Sequence, residues 1–175
     1  MAKKVAVMAF NPVNGLGLFQ YLEAFFENGI PYRTFAVADK TQIKTNSETT
    51  LFVDDVIANL RGHEDEYDAL VFSCGDAIIH LSENMEEPWN RDMMAVVKAF
   101  ADKDKIMIGH CAAGMIYDMA GVGAGRRIAL HPYAKTAVSH VHGTDEKKEV
   151  DGNFYTAQTE NSLYLLIPEI VEALK

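Results

Sequence analysis

Cysteine is nearly absent from this chain: only Cys74 and Cys111 occur in 175 residues. Two cysteines cannot build a disulfide framework, and such sparing use fits a reducing compartment. Cations are also scarce, with 16 Lys and Arg against 25 Asp and Glu and a net charge of -9. No basic stripe exists to neutralise a phosphate backbone, so no nucleic-acid partner is expected. Long apolar runs are missing as well. Met1–Phe10 holds two lysines and about six apolar residues before Asn11-Pro12, short of a signal-peptide core and far short of a bilayer span. The expectation is a cytoplasmic location with no membrane partner. No internal repeat, low-complexity tract or linker interrupts the sequence, so one domain covering 1–175 is expected.

What is present is an alternation of short apolar runs with longer amphipathic ones. Lys4–Phe10, Tyr32–Val37, Ala69–Phe72 and Ile106–Ile108 read as buried strands, and Leu51–Val53 as a short one after the polar excursion Lys40–Thr50. Gly17–Asn28, closed by Asn28-Gly29, reads as a helix, as does Pro88–Asp102 with proline in its first turn. Val56–Leu60 reads as a short helix and Ala112–Ala120 as another. Val150–Asn153 reads as a hairpin turn, and Ser162–Leu174 as a final helix kinked at Pro168. Strands each followed by a helix imply an α/β fold, a mostly parallel sheet with helices on both faces. Such sheets place their sites at the carboxyl ends of the strands. Asn11–Gly17, Ser73–Asp76 and Gly109–Gly114 fall there.

Gly109-His110-Cys111-Ala112-Ala113-Gly114 marks a strand turning at once into a helix. Small neighbours allow that sharp reversal, and a helix N-terminus favours a thiolate. Cys111 is thus a candidate nucleophile, expected at positive φ directly before the helix; a buried structural cysteine is the alternative. Gly75 follows another buried strand, and its N–H with that of Ala112 would form an oxyanion hole, unless the segment is a simple strand-end turn. His131 is a candidate proton partner for a thiol. His140 and His142 would share a strand face as a metal pair, but no third ligand is evident, and no metal or cofactor is expected. Asn14-Gly15-Leu16-Gly17-Leu18-Phe19 opens like a dinucleotide fingerprint, with Gln20 where its last glycine belongs.

Taken together, the segments around Ala69–Gly75, Cys111, Gly121-Val122-Gly123 leading to His131–Lys135, Asp151–Thr156 and Ile170–Leu174 resemble the DJ-1/ThiJ/PfpI superfamily, relatives of the class I glutamine amidotransferases. The resemblance implies a flavodoxin-like sandwich with a nucleophile elbow at Cys111, the Gly75 and Ala112 amides beside it, and His131 in the site wall. It also implies a homodimer or larger homo-oligomer. Two departures stand out. The carboxylate that relatives set against the sulfur would fall nearest Gly17, and the histidine that a protease-like subgroup carries after its cysteine is replaced by Ala112. The nearby histidine is instead His110, which strand alternation points away from Cys111. Glu23 on the first helix, acting within the chain or across a dimer interface, and Asp76 are the candidate substitute acids.

These residues carry three functional readings. The leading one is a small enzyme in which Cys111 attacks a carbonyl or similar small-molecule electrophile, as a hydrolase, protease or glyoxalase-like enzyme. The second is a non-catalytic stress or redox protein with an oxidisable Cys111. The third is a ligand-binding relative whose thiol is a fossil. Cys74 is expected close to Cys111, either packed as a small apolar residue, able to pair with it in a reversible disulfide, or joining Cys111 and His131 on a soft metal.

Overall fold

The computed structural model describes residues 1–175. Eleven strands and four α-helices follow one another along the chain. The strands are β1 (Val5–Ala9), β2 (Tyr32–Ala36), β3 (Gln42–Lys44), β4 (Thr50–Phe52), β5 (Asp55–Val56) and β6 (Ala69–Ser73). They continue with β7 (Ile106–His110), β8 (Arg127–Ala129), β9 (His142–Thr144), β10 (Lys148–Asp151) and β11 (Phe154–Ala157). The helices are α1 (Gly15–Glu27), α2 (Pro88–Asp102), α3 (Ala113–Met119) and α4 (Leu163–Leu174).

Seven strands form the central sheet in the order β10-β11-β7-β6-β1-β2-β5. Every pair in it is parallel except the β10–β11 hairpin. Because side chains alternate along a strand, each central strand feeds two cores. Val5, Val7, Ala69, Val71 and Ile108 pack with Leu18, Tyr21 and Phe25 of α1 and Leu163, Leu166 and Ile170 of α4. Ala6, Met8, Leu70, Phe72 and Met107 pack on the other face with Met93, Val97 and Phe100 of α2 and Ile116 and Tyr117 of α3. The sheet is thus buried on both sides, which is why its strands read as continuous apolar runs. No helix is long and apolar enough to cross a membrane.

Several local expectations change. The excursion at Lys40–Thr50 is itself half of a hairpin, β3 with β4. Its turn docks on the β1–α1 loop, where Val13 N–H donates to Lys44 O and Asn46 N–H to Val13 O. The segment read as a helix at Val56–Leu60 contains the end of β5 and a single 3-10 turn at Ile57–Asn59. Helix α4 runs through Pro168 without a break. The Pro88–Asp102 helix is as expected, with proline at its start. His140 lies outside any strand and His142 opens β9, so the two do not share a strand face. No group of three His, Cys, Asp or Glu side chains comes together to hold a metal ion.

Gly75 shows how tightly the carboxyl edge of the sheet is built. A Cβ at Gly75 would lie 2.0 Å from Pro12 O and 2.5 Å from Val13 Cα, so only glycine fits beneath the β1–α1 loop. That loop is tied down where Asn14 N–H donates to Cys74 O at 2.8 Å. Gly29 is different: it sits at φ +64° with nothing within 4 Å of a built Cβ. Gly75→Ala is therefore expected to cost at least ~1–3 kcal/mol through overpacking and displacement of the loop. Gly29→Ala should cost only the ~1–2 kcal/mol of left-handed backbone strain. Urea unfolding of both variants checks the order, and a Gly75→Ala protein as stable as wild type would contradict the packing.

Candidate functional site

Cys111 directly follows β7 and has φ +59°. Its N–H still belongs to the sheet, donating to Ala157 O at 3.1 Å, while Ala112 already caps α3. The chain turns from strand to helix at this one residue. A bulkier neighbour would clash there: a Cβ at Gly109 would lie 2.4 Å from the Ala113 Cβ. The Cys111 C=O is held in turn by the His131 N–H at 3.1 Å. The strained geometry expected of a nucleophile elbow is present.

Cys111 opens into a cavity of about 320 Å³ at the carboxyl edge of the sheet. Cys74, Gly75, Asp76, His110 and His131 also line it, so the strand-end segments singled out in the sequence do converge. Ala112 is buried beside them. Glu23 is not in this wall; it lies exposed on the outer face of α1. The cavity also recruits Asn46, Thr159, Glu160 and Asn161, which no motif pointed to, and Asn14 and Tyr133, which lay in the quoted segments without a role in the site. Glu160 arrives because β11 lies beside β7 and the chain then turns through the Thr159–Ser162 capping box. Gln20 of α1 fastens that turn, its Nε2 donating to Glu160 O at 2.9 Å. The capping-box pair was the available sequence signal.

Both cysteines are free. They are each other's principal partners: a hydrogen bond between the thiols holds Cys74 below the usual thiol range and Cys111 far above it. Burial opposes ionisation of both, while the Ala112 N–H favours both thiolates and the Gly75 N–H favours that of Cys74. Of the two, Cys74 is the sulfur favoured to ionise and Cys111 the one disfavoured. As a thiol, Cys74 directs its S–H to the Gly75 C=O at 4.0 Å. The Gly75 and Ala112 amides, expected to form an oxyanion hole, lie at the Cys74 sulfur. Glu160 adds a negative charge near both sulfurs and discourages their ionisation.

The histidines divide their roles differently from expectation. The His131 ring makes no hydrogen bond to Cys111; its Nδ1 accepts from the Tyr133 N–H at 3.4 Å, and the two rings pack 4.8 Å apart. Strand alternation does turn His110 to the α1 face, opposite Gly109. It nevertheless lines the cavity, because the first turn of α1 passes over it at Gly17, which has no side chain. No acid from 11–17 approaches the sulfur, since that stretch contains none.

A parallel α/β sheet, a strained thiol at a strand–helix elbow and a cavity above it define a class of cysteine-centred flavodoxin-like proteins. The DJ-1/PfpI family model matches residues 3–173, and the chain belongs to that family. It is 60% identical over 175 residues, the whole of both chains, to Protein ppBat of Bacteroides thetaiotaomicron. The crystal structure of a protein from that organism, provisionally named protease I, superposes with a TM-score of 0.98 at 60% identity, covering 99% of this chain and 100% of that one. Drosophila melanogaster DJ-1beta shares the fold at 18% identity, with a TM-score of 0.85 over 99% of this chain and 91% of its own.

If Cys74 restrains Cys111, removing it must free the second thiol. In Cys74→Ala the pH profile of Cys111 alkylation is expected to shift to lower pH, with a single inflection. Iodoacetamide kinetics with peptide mapping measure it. A profile identical to wild type would show that the two sulfurs do not perturb each other.

Proposed function

We propose that the protein is a small cysteine-dependent enzyme in which Cys111 attacks the carbonyl carbon of a small electrophile. The observation that carries this reading is Cys111 itself, strained at φ +59° and facing a cavity. Such strain is kept where it aims a reactive group. In this reading Cys74 ionises first and the Cys111 S–H donates to its thiolate. As the Cys111 sulfur bonds to carbon, its proton passes to Cys74 and the carbonyl electron pair moves onto oxygen. Cys74, now neutral, releases the Ala112 and Gly75 N–H groups to the new oxyanion. His131, on the cavity wall, would return a proton to the leaving oxygen or nitrogen. The provisional protease name of the Bacteroides relative fits an acyl-transfer version of this chemistry.

One observation favours a second reading. Cys74 and Cys111 are free thiols that perturb each other, and in this reading peroxide oxidises them to a disulfide, two thiol protons and two electrons reducing the peroxide to water. A stress or redox sensor would use the same two sulfurs without turnover. A cytoplasmic setting suits either role. We further propose that a second copy covers Leu16, Phe19 and Phe26 of α1 with Tyr164 of α4, all exposed large hydrophobic residues.

Turnover of small aldehydes, esters and amides by purified protein tests the first reading. Cys111→Ser is expected to lose at least about a hundredfold in kcat/KM, a loss of the order seen when a covalent nucleophile is removed. Absence of turnover in the wild type, together with a two-dalton loss linking the Cys74 and Cys111 peptides after peroxide, would replace it with the second. Stepwise oxygen addition at Cys111 with Cys74 left free would remove the sensor pair.

A further inference from the structure

Ile78, Ile79 and Tyr133 line the Cys111 cavity, and the same residues line a second hollow of about 250 Å³. The two hollows therefore share a wall. The second is apolar: Leu81, Met115 and Met119 complete it, and Ser82 is its one polar residue apart from the Tyr133 hydroxyl. Its sides are the segments that build the thiol site itself. The 3-10 segment Asp76–Glu83 follows directly on Gly75, and α3 follows directly on the reversal at Cys111. Tyr133 follows His131-Pro132, and the His131 N–H holds the Cys111 C=O. The groove is thus fixed in place relative to the thiol.

Large apolar side chains stand at its rim without cover: Ile79 is 63% exposed, Tyr133 49% and Met119 44%. Covering them removes apolar surface from water, which favours an occupant. The face proposed above for self-association lies elsewhere. Its helices α1 and α4 pack on one side of the sheet, whereas Ile78, Leu81 and Met115 pack with the core beneath α2 and α3.

Size and chemistry narrow the occupant. At about 320 Å³ the Cys111 cavity stands at the lower end of small-molecule sites, which span ~300–1,000 Å³. The groove extends it, and an apolar cavity of only ~150 Å³ already takes up benzene. Met115 and Met119 are one helical turn apart and present two thioethers along one stripe of α3. Methionine side chains adapt their shape and make favourable contacts with aromatic rings. Burial, and then the charges of Cys111 and Cys74, raise the Tyr133 pKa, so the phenol stays neutral within electrostatic reach of both sulfurs.

We propose that the groove formed by Ile79, Met115, Met119 and Tyr133 is the specificity pocket of the Cys111 site, and that it takes the uncharged, phenyl-sized substituent of a small carbonyl compound. This names the substrate class for the thiol-enzyme reading and rests on it for the reaction, but the binding preference is measurable without turnover.

Iodoacetamide and N-benzyliodoacetamide supply the first test. With either, the Cys111 sulfur bonds to the methylene carbon, iodide leaves and the thiol proton passes to solvent. Both reagents are uncharged and differ only in the benzyl group. Relative to 2-mercaptoethanol, and with peptide mapping to follow Cys111 alone, the wild type should favour the benzyl reagent by about tenfold. Its rate should also saturate with reagent concentration. Ile79→Ser with Met119→Ser, both at exposed positions, should abolish most of that preference. Val150→Ser, at an exposed apolar position on β10, should leave it in place. No preference in the wild type, or equal loss in Val150→Ser, overturns the pocket. The second test is carbon-13 NMR of the methionine methyl groups in Cys111→Ser, with 2-phenylacetamide as probe. Met115 and Met119 should shift together and saturably, while the buried Met8, Met93 and Met107 stay in place and acetamide shifts none. Unmoved Met115 and Met119, or equal shifts at every methionine, overturn the pocket as well. A protein with the benzyl preference and the methionine shifts that turns over no carbonyl compound would sink the catalytic reading alone. Turnover of acetaldehyde and phenylacetaldehyde with equal kcat/KM would sink the pocket alone.

Discussion

The carboxyl edge of the sheet depends on the chain reversal at Cys111, where a residue still hydrogen-bonded in the sheet must hand over at once to α3. A β-carbon at positive φ is strained by about 1–2 kcal/mol, and the surroundings hold it there. Ala157 O fixes its N–H and the His131 N–H fixes its C=O. The reversal lifts the thiol out of the strand and into the cavity. It also sets that thiol beside Cys74 at the end of β6, one strand over.

From that placement follows the chemistry of the pair. Ionising one of two neighbouring, mostly buried sulfurs opposes ionisation of the other. The Gly75 N–H favours the charge on Cys74, while the Ala112 N–H favours both thiolates. Gly75 can serve there only because Pro12 and Val13 cross it at distances that exclude a side chain. Gly17 works the opposite way: the missing side chain leaves room for the His110 ring.

Most of the fold was legible because its signals are local. The β1 and β6 runs are apolar throughout, and α2 announces itself with Pro88 and a regular apolar stripe. The Cys111 elbow was legible because small residues crowd around a single cysteine at a strand end. The β3–β4 hairpin was not, since its residues are polar and its docking uses backbone groups of Val13 and Lys44 that no side-chain pattern encodes. Glu160 was hidden because it reaches the site through the non-local pairing of β11 with β7. Alternation gave the correct sheet face for His110, but not that α1 leaves an opening above it. Glu23, offered as a substitute acid on the first helix, is exposed within the single chain and outside the cavity wall.

The central claim is that Cys74 is the sulfur favoured to ionise and Cys111 the one disfavoured. Ultraviolet titration of thiolate absorbance in the reduced wild-type protein measures it directly. The account predicts one thiolate appearing below the ordinary cysteine range and the second withheld far above it. Two thiolates appearing together, with independent titrations in the ordinary range, would contradict it.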